Sequence, residues 1–260
     1  MHRRLIPHLA GALLLLPLPA LAQSGQQNPN EGYRIRVQYG RFVSQLEGIA
    51  SLGNGVLPGT EFDVKQDLGM ADETTWYVNG TIRLGAKWKL RGGYVALDYA
   101  GTTVLDKRIR LGDTNFNQNE TVSSTIKGGF WSGDLEWDFV NTGSAYLGVT
   151  GGARAPDVDT VLVSPDFGKR EQGTYRPVSP VLGLAGRAYA GRVSLEGFAA
   201  TFARVSGNKV TDAEITARLH FSRHLNISGG YHYISFSAEV DPDLADFKLK
   251  GWTYGLELGF

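Results

Sequence analysis

The chain of 260 residues contains no cysteine. That excludes a disulfide framework, thiolate chemistry and any cysteine-ligated metal. Neither sign of charge is in excess, since 26 Lys and Arg balance 26 Asp and Glu, so there is no electrostatic case for a nucleic acid or another polyanion as partner. After residue 22 no apolar run approaches the ~18 residues that a membrane helix needs. P-loops, nucleotide fingerprints and His/Asp metal spacings are also missing, and no cofactor or metal is expected. What the chain does have is 34 glycines, 11 tyrosines and 12 phenylalanines, spread evenly rather than in low-complexity tracts.

Residues 1–22 read as a secretory signal peptide. "MHRR" gives a positive start, "LIPHLAGALLLLPLPA" an apolar stretch, and "ALA" before Gln23 the small residues of a cleavage site. A retained anchor is the competing reading, but the run is short and interrupted by Pro17 and Pro19. Residues 23–32, "QSGQQNPNEG", form a polar leader, and residues 33–260 form one domain without repeat or linker.

In that domain the dominant signal is period-two alternation, which places successive side chains on opposite faces of a strand. Short connections at residues 84–87, 140–144, 190–192 and 222–224 join antiparallel neighbours. Longer polar connections lie near 48–73, 112–120, 156–177, 205–209 and 240–246. Between them fall ten expected strands, with eight as the alternative: 33–47, 74–84, 87–111, 120–140, 144–156, 177–190, 193–205, 209–221, 225–239 and 246–260. One face carries residues such as Ile35, Val37, Trp76, Trp88, Trp131, Leu135, Leu195 and Ile227, and the other carries charge and small polar groups. A soluble sandwich or lipocalin-like barrel also alternates, but its strands are usually about five or six residues long. Many strands here reach the ~9–11 residues that cross a bilayer obliquely, with Trp and Tyr near their ends. An open sheet edge is not tolerated in hydrocarbon, so the expected fold is all-β, a closed antiparallel transmembrane barrel with short periplasmic turns and longer extracellular loops.

The inward charges are placed where they can neutralise one another. Lys87, Lys89 and Arg91 leave a short turn on one strand, while Asp134, Glu136 and Asp138 approach the same end on the next. Glu257 near the C-terminus would lie beside Arg34 and Arg36 if the barrel closes. Arg83, Arg187, Glu196, Glu214 and Arg218 share the inward parity. The simple reading is a paired ion plug, and the alternative is a gated ion path. Above the charges, Val95, Leu97, Phe198, Phe202, Ile234 and Phe236 point inward as a candidate apolar pocket, unless a β-bulge turns them to lipid.

A hydrolase is the competing class. Of the histidines after residue 22, His220 and His224 flank a short turn, and His232 points inward. Ser235 lies three residues from His232 and therefore on the opposite face, so the two cannot pair directly. No catalytic residue is assigned. Asp157, Asp159 and Asp166 in the 156–177 connection could hold a divalent ion, although solvation is the simpler reading.

The final "GWTYGLELGF" resembles the C-terminal signature of bacterial outer-membrane barrels. It has a terminal aromatic, Phe260, with Leu258, Leu256, Tyr254 and Trp252 at alternate positions before it. "GTEFDVKQDLGM" at 59–70 and "LRGGYVALDYAGTTVL" at 90–105 are similar to the superfamily of OmpA-like and OmpW-like barrels, whose better-known members have eight strands. The resemblance implies an outer-membrane location, recognition by the barrel assembly machinery, contact with lipid and lipopolysaccharide, and a monomer. The expected role is structural or narrow-pore; carriage of small hydrophobic compounds, which the OmpW-like resemblance suggests, is one alternative, and a barrel hydrolase such as a lipid A deacylase is another.

Overall fold

The structure, a computed structural model, describes residues 32–51, 53, 59–205, 207–240 and 243–260. The expected signal peptide and almost all of the leader lie outside the described residues. The strands are β1 (Ile35–Ser51), β2 (Phe62–Asp63), β3 (Glu73–Arg83), β4 (Trp88–Val104), β5 (Ile109–Leu111), β6 (Thr114–Phe116), β7 (Thr121–Asn141), β8 (Ala145–Ser164), β9 (Lys169–Tyr175), β10 (Ser179–Ala190), β11 (Val193–Thr201), β12 (Asn208–His220), β13 (Leu225–Val240) and β14 (Asp243–Gly259). Ten of them close into one antiparallel ring in the order β1-β3-β4-β7-β8-β10-β11-β12-β13-β14 and back to β1. At the seam Gln38 lies opposite Glu257 and Tyr39 opposite Leu256. The Phe260 carbonyl accepts from the Ile35 amide at 3.1 Å, and the Phe260 amide donates to the Ile35 carbonyl at 2.8 Å.

Alternation decides which side of the wall each residue occupies. Ile35, Val37 and Tyr39 are exposed on the outer surface, while Arg36, Gln38 and Phe42 are buried inside. Outward aromatics form two bands. Tyr39, Trp76, Tyr94 and Trp131 make one, with successive ring centroids 6.4, 5.1 and 4.5 Å apart. Trp88, Trp137 and Phe139 make the other, beside the short turns. Trp131 and Trp137 are six residues apart on β7, about 20 Å along the strand, which suits two girdles flanking an apolar belt. Tyr94 also covers a gap in the wall, because its ring lies over Gly129 where any Cβ would collide with it.

Several boundaries differ from the expected ones. β4 ends at Val104, and residues 109–116, read as the end of a strand and a loop, fold back as the β5–β6 hairpin. β8 runs on to Ser164, and β9 returns along it, so most of the expected loop 156–177 is paired. β9 and β10 together form one barrel strand. Their pairings with β8 share a single register, which sets Pro156 opposite Pro177. Neither proline has an amide hydrogen, so the ladder lapses there without slipping. In β7 one bulge falls between Asp138 and Val140.

The segment 59–72, expected to be a polar loop, folds over the long-loop mouth of the barrel. Asp63 anchors it by accepting from the amides of Lys65 and Gln66, each at 2.8 Å. Phe62, Val64, Leu68 and Met70 are buried, and with Leu105, Ile109, Leu111 and Phe116 they join the apolar core of the upper barrel. The backbone of Leu68 and Gly69 presses so closely on Gly101 that a side chain there would clash at 2.5 Å. Burying this much apolar surface at the mouth is what holds the cover down.

Candidate functional site

The lumen is layered. Nearest the short turns, the Lys89 ammonium sits between Glu136 (2.8 Å) and Asp138 (2.9 Å) and lies 3.2 Å from the centre of the Tyr146 ring. Arg91 donates to Glu136 at 2.7 Å and also to Glu196. Glu196 is the hub of the layer, for Arg187 donates to it at 2.7 Å, Arg218 approaches at 2.6 Å, the Tyr146 hydroxyl donates at 2.7 Å and Arg36 stands at 4.0 Å. Glu257 completes it, accepting from Arg218 at 2.7 Å with Arg36 at 3.5 Å. Groups this dry are tolerated only when each charge has partners of opposite sign.

A neutral series continues from Glu257. The Asn226 amide nitrogen donates to it at 3.0 Å. The Asn226 oxygen must then accept from His220 Nδ1 (2.8 Å), which leaves Nε2 to accept the Ser194 hydroxyl (2.9 Å). This Ser–His–Asn order has the polarity of an activated hydroxyl. Ser194 is only 1% exposed, however, and lines neither of the two voids of the lumen.

One layer higher, Arg154 donates to Asp212 at 2.7 Å and to Asp134 at 3.0 Å, and His232 Nε2 meets the other Asp212 oxygen at 2.8 Å. Phe42 stacks on His232 at 5.7 Å. Between this layer and the last lies a polar void of about 70 Å³ lined by Gln38, Asn79, Ser132, Glu214 and His232, among others.

Above Phe42 the interior turns apolar. A chamber of about 160 Å³ is enclosed by Leu46, Leu97, Ile126, Phe130, Ile234 and Phe236, with Phe62 and Leu68 from the cover and Tyr175 from β9. Tyr99 also faces it, with its hydroxyl bonded to Ser44. Among the described residues β9 pairs only with β8, and Tyr175 spans from its free edge to Phe236 (4.9 Å between rings) and to the Asn208 side chain.

Of the expected lumen charges, Arg36, Lys89, Arg91, Asp134, Glu136, Asp138, Arg187, Glu196, Arg218 and Glu257 meet in these layers. Four do not fit the expectation. Arg34 precedes β1 and is exposed, because the chain turns Tyr33 inward in its place, against Arg36 and Arg83. Arg83 is therefore half-buried against a ring, and Lys87 is exposed in the turn before β4. Glu214 lines the polar void, accepts only from Thr216 and makes no ion pair among the described residues. Of the expected pocket, Leu97, Ile234 and Phe236 line the chamber and Val95 lies in the adjoining core. Phe198 instead packs on Arg91 and Arg154, and Phe202, beyond the end of β11, is 39% exposed. β4 keeps its parity through these positions, so no bulge turns them to lipid. Trp252, Tyr254, Leu256, Leu258 and Phe260 are all exposed on the outer wall. Asp157 and Asp159 both pair with Arg176.

Sequence reasoning missed Arg154 and Asp212, although Asp212 continues the inward parity of Glu214, two residues on. It also missed the His220–Ser194 pair, which only the β11–β12 register brings together.

An apolar outer belt, two aromatic bands and a charged interior within a closed antiparallel ring define a bacterial outer-membrane β-barrel. The structure is similar to that of the outer membrane protease OmpT from Escherichia coli, with a TM-score of 0.58 and 9% identity over 87% of this chain and 96% of that one. Weaker likenesses are to the translocator domain of the autotransporter NalP from Neisseria meningitidis (TM-score 0.40, 13% identity, 92% and 91% covered) and to Ail, the attachment invasion locus protein of Yersinia pestis (0.35, 10%, 87% and 97%). No family model and no curated protein matches the chain. At such identities the likeness carries the fold and no activity.

Proposed function

We propose that the protein is a monomeric outer-membrane barrel with an occluded lumen that holds a small apolar compound in the half nearer its long loops, which face the cell exterior. The observation that carries this reading is the apolar chamber of about 160 Å³, more than twice the volume of the polar void below it. At ~24 cal/mol per Å³, an empty cavity of this size costs about 4 kcal/mol. An apolar cavity of ~150 Å³ in another protein stays dry and takes up benzene. Occupancy by a compound of one aromatic ring would offset the cost. The paired charges beneath support a closed floor rather than an ion path, so the narrow-pore role is not favoured. A purely structural barrel is the second reading, favoured by the cover that Phe62, Val64 and Leu68 form over the mouth. We read the protein as non-enzymatic, since Ser194 is buried and lines neither void, and no hydroxyl is hydrogen-bonded to the His232 ring among the described residues.

The test is equilibrium binding of ethylbenzene to the refolded protein in detergent, with Ile234→Trp, which fills the chamber, as the blank for partition into micelles. Saturable binding to the parent and none to the variant is expected. Equal uptake by both would leave only the structural reading. Leu97→Phe serves as the blank if Ile234→Trp does not refold.

A further inference from the structure

The chamber has a polar floor with one uncommitted acceptor, and this selects among apolar ligands. On β7, β8 and β13, consecutive inward residues divide the two voids. Phe130, Pro156 and Ile234 line the apolar chamber, and Ser132, Arg154 and His232 line the polar void below it. The step between such positions is two residues, about 7 Å, so a ligand one ring long in the chamber can reach the void with a single substituent.

The void's charged groups are unequally committed. Arg91 is engaged by Glu136 and Glu196, Arg154 by Asp134 and Asp212, and Arg218 by Glu196 and Glu257. Six of the seven lumen carboxylates (Asp134, Glu136, Asp138, Glu196, Asp212 and Glu257) have a cation within 4.0 Å. The seventh, Glu214, has none among the described residues, accepts a single side-chain hydrogen bond, from Thr216, and stands opposite His232 on the neighbouring strand. A ligand carboxylate placed here would face Glu214, while Arg91, Arg154 and Arg218 are already hydrogen-bonded to carboxylates and Arg36 pairs with Glu257 at 3.5 Å. A hydroxyl or amino group would instead donate to a carboxylate that has no cation among the described residues and one bond, from Thr216, and a hydrogen bond to a charged acceptor is among the stronger kinds.

We propose that the preferred ligand is a small amphipathic compound, an aromatic or short aliphatic body in the apolar chamber bearing a hydroxyl or primary amine that donates to Glu214, and not a carboxylic acid. This rests on the reading of the chamber as a binding site, and the two are separable by experiment.

The same refolded protein is titrated with ethylbenzene, benzyl alcohol and benzylamine, which differ only in a terminal methyl, hydroxyl or amine, and with benzoate. Each is corrected with the filled-chamber blank. The inference expects benzyl alcohol and benzylamine to bind about tenfold more tightly than ethylbenzene and benzoate to bind least. In Glu214→Gln, benzylamine should lose its advantage while ethylbenzene is unchanged, and a heat-modifiability gel checks that the variant is folded. Equal affinities for the three isosteres, or tightest binding of benzoate, would overturn the inference and leave the chamber reading intact. Absence of binding by all four would overturn both. The ligand series on the parent protein decides the matter even if the variant fails to refold.

Discussion

Replacing Glu196 by Gln removes one charge and almost no volume, at the point where Arg91, Arg187 and Arg218 converge with Tyr146. After the change, the group that Arg187 meets at 2.7 Å is neutral, and three guanidinium groups converge on it in a layer that solvent barely reaches. Breaking one side of a buried charge network costs about 3–5 kcal/mol, less where water penetrates. With a urea slope of roughly 2–3 kcal/mol per M, the unfolding midpoint in detergent or lipid should fall by about 1–2 M. The same substitution at Glu214, on the neighbouring strand β12 and without an ion pair among the described residues, is the matched control. It should cost under about 1 kcal/mol. Similar losses for the two variants would show that the convergence on Glu196 is not what stabilises the layer, and the reasoning from paired charges would fail.

Other expectations test separate parts of the account. Cysteines introduced at Asn117 and Gln172 should label on intact cells and one at Thr142 should not, while the reverse pattern would invert the orientation. Deleting Phe260, whose backbone bonds to Ile35 at the seam, should slow assembly, and undiminished heat-modifiable protein in membranes would count against that role. Outside the membrane, burial opposes ionisation of Glu120, yet the Asn117 amide and the Lys169 ammonium outweigh it and hold the carboxyl below its ordinary range. Its contribution is therefore complete above the unfolded value of about 4.3 and is lost as pH falls through the lower folded value. Pepsin should cut residues 105–120 faster as pH drops below about 4, and Glu120→Gln should abolish that dependence.

The half of the barrel near the short turns was legible because parity there is unbroken. Lys89, Arg91, Asp134 and Glu136 could be assigned to one layer from spacing alone, since a strand offers only two faces and lipid claims one. The seam failed at Arg34 because the alternation of β1 begins only at Ile35, and the bend at Arg34 leaves Tyr33 inward in its place. The upper half was obscured for a different reason. Apolar residues in segment 59–72 pack inward from a cover, not a wall, and no periodicity announces that. Pro156 and Pro177 looked like loop markers, yet facing each other they cost the ladder no donor that either could have supplied. The chamber itself is assembled from strands, cover and β9 together, and so depends on contacts between residues far apart in sequence.

Occlusion of the lumen is tested most directly by planar-bilayer recording of the refolded parent protein. The account predicts no sustained open-channel steps in the parent, and their appearance in Glu196→Gln, where the floor has lost its central carboxylate. Regular ohmic steps from the parent, of the size given by a water-filled pore, would contradict it.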